Sequence, residues 1–547
     1  MSLMQTLSPA LRPDTDWWRG AVIYQIYPRS FQDSNGDGIG DLTGIIGRLD
    51  HIARLGADAI WISPFFRSPM LDFGYDVSDY RDVDPMFGTL ADFDALVARA
   101  HELGLKVLID LVISHSSDQH PWFAESRASR DSPRADWYVW ADPKPDGTPP
   151  NNWLSIFGGS AWEWDGTRMQ YYLHNFLTQQ PDLNLHNADV QDALLDVVRF
   201  WLERGVDGFR LDTINFYFHD RLLRDNPALR PDQRNTTIAP EVNPYNWQDH
   251  LYDKNQPENL AFLRRFRRVM DEFGTVAVGE VGDAQRGLEI QAAYTSGGDK
   301  VQFCYSFDLL SSHRPTAEYI GEVLARHEAG IGDGWACWAF SNHDVVRHPS
   351  RWALSPQGAR CMAAVLLSLR GSVCLYQGEE LGLTEAEVPR ELLQDPYGIR
   401  FWPRFKGRDG CRTPLPWVSD NAHGGFTQGQ PWLPVAGEHL AVSVATQERD
   451  AGSILAFYRA MIAFRASEPA LVKGDFELVR AEGGILAFTR SLKGRRVLCS
   501  FNLSDAAKSF QPPPGRWVAL DAPFARQSGL IAPWHANFAV HEESADV

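Results

Sequence analysis

The chain is poor in cysteine, in long apolar runs and in positive charge, and each shortage excludes something. Six cysteines stand among 547 residues, at 304, 337, 361, 374, 411 and 499, with no close pairs. That scatter suits reduced, structural thiols and a cytoplasmic home rather than a disulfide framework. No uninterrupted apolar stretch approaches the roughly twenty residues of a membrane helix. The opening MSLMQTLSPALRPDTDWW has neither the basic nor the apolar region of a secretory signal, so a processed extracellular protein is the minority expectation. Lys and Arg number 52 against 70 Asp and Glu, a net charge of −18. Nucleic acid and anionic membrane surfaces both call for the opposite sign. Internal repeats and low-complexity tracts are missing as well.

What is present is a long alternation of short β-like runs and amphipathic helical stretches, the pattern of a parallel α/β fold. Strands are expected near residues 22–27, 59–62, 107–112, 208–211, 276–279, 301–307, 336–340 and 372–376. Eight is the barrel number. An irregular insertion of residues 116–186 follows the third strand, too long for a plain connection in a compact domain. A second, 218–259, follows the fourth and is rich in Asn, Pro and Asp. From about residue 473 the texture becomes alternating β with Gly-containing turns, as in FELVRAEGGILAFTRSLKGRRVLCSFNLS, and predicts a C-terminal all-β domain, a sandwich. Nineteen tryptophans would suit sugar-stacking surfaces, although a core this large absorbs most of them.

Three carboxylates end strand-like segments: Asp212 in GVDGFRLD, Glu280 in TVAVGE and Asp344 in CWAFSNHD. Carboxylates at the C-terminal ends of several barrel strands mark the face where such a fold keeps its chemistry. Arg210 and Asp212, two apart on a strand, share a face. A guanidinium there favours an ionised carboxylate, as a nucleophile needs, although the spacing suits a structural ion pair equally well. Glu280 follows Val276, Val278 and Gly279, apolar surroundings that raise a carboxyl pKa and suit a general acid; a glutamate capping the next helix is the bland alternative. One ionised and one protonated carboxyl is the pairing that cleaves glycosidic bonds.

Eight segments in order carry a resemblance that spans nearly the whole chain: AVIYQIYPRSFQDSNGDGIGDL (21–42), GYDVSDY (74–80), DLVISH (110–115), QPDLN (180–184), GFRLD (208–212), VGE (278–280), FSNHD (340–344) and GRDGCRTPLPW (407–417). In these the chain resembles glycoside hydrolase family 13, the α-amylase superfamily, in its α-glucosidase and oligo-1,6-glucosidase branch. The resemblance implies a (β/α)₈ TIM barrel (1–115 and 187–468), an inserted domain B (116–186) walling the pocket, and a C-terminal β-sandwich (469–547). It makes Asp212 the nucleophile, Glu280 the acid/base and Asp344 the holder of sugar hydroxyls. His115 and His343 become hydroxyl donors, Tyr75 a stacking face, and Asp76 with Arg412 a clamp on the terminal glucose.

DSNGDGIGD places oxygens at Asp33, Asn35, Asp37 and Asp41, with the Ile39 carbonyl, at the alternating spacing that wraps a hard cation. Gly44 at the twelfth position excludes an EF-hand, and a Gly/Asp-rich turn without an ion is the alternative. The resemblance implies a structural Ca²⁺ or Mg²⁺ there and no organic cofactor. Ser114 stands where the wider family carries Asn, which argues against its other calcium site. Within the branch, the residue after the nucleophile tracks linkage, and Thr213 implies α-1,4 over α-1,6. The expected function is exo-acting, retaining hydrolysis of maltose and short α-glucosides by a monomer or homodimer, with glucosyl transfer to alcohol or sugar acceptors. The alternatives are an oligo-1,6-glucosidase, a sucrose-active glucosyltransferase and, from another class, an inactive transporter-accessory scaffold.

Overall fold

Strands β1 (Val22–Ile26), β2 (Ala59–Ile62), β3 (Lys106–Leu111), β4 (Gly208–Leu211), β5 (Val276–Val281), β6 (Phe303–Ser306), β7 (Cys337–Ala339) and β8 (Ser372–Tyr376) form one parallel sheet. The computed structural model describes residues 16–524 and 529–542. The strand order is β6-β5-β4-β3-β2-β1-β8-β7. A parallel bridge between Cys304 and Ala336 joins the two edges and closes the barrel. The expected strands are all there, their ends shifted by no more than two residues. They read as near-continuous apolar runs because a parallel barrel buries both faces of its strands. Trp18, Trp61, Leu108, Val278 and Phe303 fill the interior, so the barrel is a packed core rather than a pore.

Helices follow the strands: α1 (Leu42–Leu55), α2 (Leu90–Glu102), α3 (Ala188–Glu203), α4 (Asn259–Phe273), α5 (Gly287–Thr295), α6 (Ala317–Gly330), α7 (Pro356–Leu366) and α8 (Ile454–Ser467). Their limits are written locally. The Asp41 carboxylate accepts from the Gly44 amide to start α1, and Gly56, at φ 93°, ends it in the left-handed conformation that a side chain would strain. Thr89 and Asp92 start α2 with a reciprocal capping box.

Two insertions rise over the C-terminal ends of the strands. Within 116–186 the short strands Trp140–Ala141, Gln170–Leu173 and Trp162–Asp165 pair in that spatial order. Before α4 begins at Asn259, the second insertion carries short 3₁₀ turns and one isolated antiparallel bridge, Ala228 with Gln248. Asn152 and Asn226 exchange hydrogen bonds (2.9 and 2.8 Å), and Trp153 donates to the Arg224 carbonyl (2.8 Å), so the insertions brace one another.

At the C-terminus an antiparallel sheet runs Asp475–Glu482, Ile485–Leu492, Arg495–Asn502, His535–Glu542 and Arg516–Ala519 in spatial order. Among the described residues the two-stranded ladder of Lys508–Ser509 and Leu530–Ile531 packs beside it. The buried Arg490 guanidinium ties the five-stranded sheet to the barrel through the Ser368 carbonyl (2.7 Å) and to the segment just before the sheet through those of Leu471 and Gly474 (2.8 and 2.9 Å).

Candidate active site

The ends of β3, β4 and β5 converge on one guanidinium. Arg210, fully buried, reaches Asp110 at 2.9 Å, Asp212 at 2.6 Å and Glu280 at 2.5 Å, and donates to the Tyr305 hydroxyl at 2.8 Å. Its other face lies on the Trp61 ring, 4.8 Å from the centroid. The in-register pairing of β4 with its two neighbours sets this up: Asp110 lies opposite Arg210 across one ladder, and Gly279 opposite Leu211 across the other. Three carboxyls around one cation cannot all share its charge equally.

Burial pushes Asp212 up to about 6 against the pull of Arg210, and Asp110 likewise to about 6. Glu280 rises further, to about 8, first through burial and then through the charges of Asp212 and Asp344, which together outweigh its contact with Arg210. Near neutral pH the pair is therefore one ionised and one protonated carboxyl. That is the division of labour that acid-assisted nucleophilic displacement needs.

Thr213 couples the two. Its backbone lies in the left-handed region (φ 40°), its amide donates to Glu280 Oε2 at 3.1 Å, and its hydroxyl donates to Asp212 Oδ2 at 3.2 Å. Oδ1 of Asp212 is held by Arg210, so the two carboxylate oxygens have different partners. The Thr213 hydroxyl also meets Ser114 Oγ at 3.2 Å.

A cavity of about 140 Å³ opens above this floor. Asp212, Thr213, Glu280, Asp344, Tyr75 and His115 line it. Ile156, Phe157 and Phe176 form the wall from 116–186, and Thr237 and Ile238 come from 218–259. Arg210 and His343 stand just behind the lining. The His343 ring takes a hydrogen bond from the Gln25 amide on Nδ1 (2.7 Å), so Nε2 carries the proton toward the Tyr75 oxygen (2.6 Å) and Asp344 (3.2 Å). Burial lowers His343 to about 3 and His115 to about 4, so both are neutral. Desolvation works against an ionised Asp344, yet it stays well below the usual carboxylate range. A neutral His343 cannot supply that stabilisation, so Arg408 (3.1 Å) and Arg412 (2.9 Å) do.

Two expected roles change. Asp76 does not reach the cavity: its carboxylate is turned into its own loop, accepting from Ser68 Oγ (2.9 Å), Leu71 N (2.9 Å) and Asp72 N (3.0 Å). Asp72 lines the cavity instead, paired with Arg408 at 2.9 Å and accepting from Gln180 at 3.1 Å. Arg412 is likewise one layer back, its guanidinium between the rings of Tyr27 and Phe73 while it holds Asp344 and the His343 carbonyl. The cation facing the cavity is Arg408. Asp110, Tyr305, Asp72 and Arg408 were all missed. Asp110 was findable as a carboxylate near a strand end; two acids four residues apart in one loop carry no signal to say which faces inward.

In the Asp33–Asp41 loop the donor chemistry, all oxygen, suits a hard cation. Both Asp33 oxygens are taken, by the amides of Asn35, Gly36 and Gly38 and by the Thr427 hydroxyl, and Asp41 is engaged with Ser34 and Gly44. Among the described residues, no three His, Cys, Asp or Glu side chains converge as a metal site. The loop oxygens with spare lone pairs are on Asn35, Asp37 and Ile39, the first two each accepting one backbone amide.

A closed eightfold barrel with paired carboxyls of opposite protonation at the ends of β4 and β5 is an architecture that suits a glycosidase. The chain belongs to the alpha-amylase catalytic-domain family, which it matches over residues 25–474, and it is a glycoside hydrolase. It is 66% identical to a probable alpha-glucosidase of Rhizobium meliloti (strain 1021), with 95% of each chain covered. It is 38% identical to an oligo-1,6-glucosidase of Heyndrickxia coagulans, covering 92% of this chain and 95% of that one. Among solved structures it is similar to XgtA, an alpha-glucosyl transfer enzyme (TM-score 0.94, 56% identity, covering 96% of this chain and 99% of that one). Trehalulose synthase MutB of Pseudomonas mesoacidophila MX-45 is also similar (TM-score 0.86, 34% identity, 96% and 99% covered). Among the described residues no helix is long and apolar enough to cross a membrane.

Proposed function

We propose that the chain is an exo-acting, retaining α-glucosidase that removes terminal α-1,4-linked glucose from maltose and short α-glucosides. The observation that carries this reading is the Asp212–Glu280 pair on one guanidinium beneath a small cavity. Glu280 gives its proton to the glycosidic oxygen as that bond breaks, and Asp212 Oδ2 forms the new bond to the anomeric carbon. The aglycone leaves as an alcohol. Glu280, now ionised, takes a proton from water as the water oxygen displaces Asp212 from the sugar, which returns both carboxyls to their starting states. Carboxyls close enough to share one guanidinium suit the roughly 5–5.5 Å spacing of retaining enzymes, not the roughly 6.5–9.5 Å that admits a water. Asp344, ionised between two arginines, is placed to accept from sugar hydroxyls. The Asp72–Arg408–Asp344 chain closes one side of the cavity, which favours a single terminal glucose over the interior of a polymer.

Proton NMR of the first glucose released tests the chemistry: α-glucose is expected, and initial β-glucose refutes it. A second reading, glucosyl transfer, is favoured by the likeness to XgtA, because the glucosyl-enzyme partitions between water and any alcohol that reaches it. Adding an alcohol acceptor to the same assay decides it. We also propose that Ca²⁺ or Mg²⁺ steadies the Asp33–Asp41 loop, with no part in the reaction. The six cysteines, all buried and free, support a reducing, cytoplasmic setting.

A further inference from the structure

A buried lysine lies next to the acid-bearing strand and has no part in the reaction proposed above. Lys254, 1% exposed, sits in the 218–259 insertion. An ammonium is costly to bury unless its protons and charge are met. Here Nζ donates to the Gly282 carbonyl at 2.7 Å and lies 3.7 Å from the Asp283 carboxylate. It also stands 4.9 Å from the centroid of the Phe216 ring. Gly282 and Asp283 follow Glu280 by two and three residues; Phe216 follows Asp212 by four. Both Gly282 and Phe216 line the cavity.

The next residue extends the same staple. Asn255 donates to Asp283 at 2.7 Å, and its side-chain oxygen accepts from Asn215 at 2.8 Å. Asn215 in turn donates to the Gly282 carbonyl at 3.2 Å and accepts from the Gly282 amide at 3.0 Å. The segment after Asp212 and the segment after Glu280 are thus joined to one another and to the insertion by a closed polar network.

We infer that Lys254 is a positioning residue for the Asp212–Glu280 pair, its ammonium locking the turn after Glu280 so that the acid addresses the glycosidic oxygen. The inference rests on Glu280 being the acid. Misplacing an acid hurts substrates with poor leaving groups and spares those whose leaving group needs no proton, whereas a general loosening of the fold slows both alike.

The test compares kcat/KM for maltose and p-nitrophenyl α-glucoside in wild type, Glu280→Gln and Lys254→Met, which keeps the stem and drops the charge. For Lys254→Met we expect a loss of about tenfold or more on maltose and at most about threefold on the nitrophenyl substrate. Glu280→Gln should show the same asymmetry, larger. Asn255→Gly, compatible with the left-handed backbone there (φ 63°), breaks the staple without touching the lysine and should reproduce the asymmetry if Lys254→Met does not fold. Equal losses on both substrates, or no loss, in a folded staple variant overturn the inference. Absence of asymmetry in Glu280→Gln overturns the assignment of the acid itself.

Discussion

Glu280, the acid of the reaction proposed above, is kept protonated at the expense of stability, and the expense is measurable. The free side chain ionises near 4.5, whereas in the fold burial and the neighbouring carboxylates raise it to about 8. A raised carboxyl pKa means that stability present at low pH is lost as the pH climbs from 4.5 toward 8, because only the unfolded chain can release the proton. Each pH unit in that window costs about 1.4 kcal/mol, so holding Glu280 protonated at pH 7 costs on the order of 3 kcal/mol. Glu280→Gln removes the titration and keeps the shape. Both contacts of the carboxyl, from Thr213 N and Arg210, fall on Oε2, so the amide oxygen can take that position and leave the NH₂ on the other side. The variant should therefore gain on wild type as the pH rises from 5.5 to 8, by about 3 kcal/mol in all. Unfolding entropy scales with chain length, so in a chain this long the gain amounts to roughly 3 °C in Tm. Thermal unfolding of both proteins across that range is the assay, with maltose turnover falling by about 10²–10⁴-fold as the companion measurement. A stability difference that is flat with pH, or that favours wild type at pH 8, would refute the burial argument even if activity were lost.

The same two carboxyls set the rate profile. kcat/KM should rise through about 6 as the pair loses its first proton, fall through about 8 as it loses the second, and remain low at pH 9.5. Asp72→Asn should raise KM for maltose by about ten- to a hundredfold with Tm nearly unchanged, since it faces the cavity. Asp76→Asn should lower Tm instead, because three donors in its own loop depend on that carboxylate. Thr213→Val removes the hydroxyl shared with Asp212 and Ser114 and should shift the maltose-to-isomaltose preference toward isomaltose within roughly ten- to two-hundredfold; an unchanged ratio would end the linkage argument. Chelation with EDTA should lower Tm by a few degrees, restored by Ca²⁺ or Mg²⁺, and leave kcat of the folded enzyme intact.

Read alone, the sequence marked the strands, the two insertions and the residues Asp212, Glu280, Asp344 and Arg210. Each of those is local: a strand declares itself by a short apolar run, and a side chain at its C-terminal end points to the catalytic mouth of any such barrel. Which oxygen faces the cavity was not local. Asp72 and Asp76 lie in one turn, and Arg408 and Arg412 in another. The Arg408–Arg412 turn is seated by Tyr27 and Phe73 against Arg412 and by the Asp395 carboxylate against Arg408, contacts more than ten residues away in the chain. The protonation states were equally out of reach. Apolar neighbours of Glu280 suggested a raised pKa, but Arg210 touches Glu280 as closely as it touches Asp212, and only their burial and the charges of Asp212 and Asp344 decide which keeps its proton. The Lys254 staple likewise exists only because a forty-residue insertion folds back across two strand ends, and no spacing in the sequence records that approach.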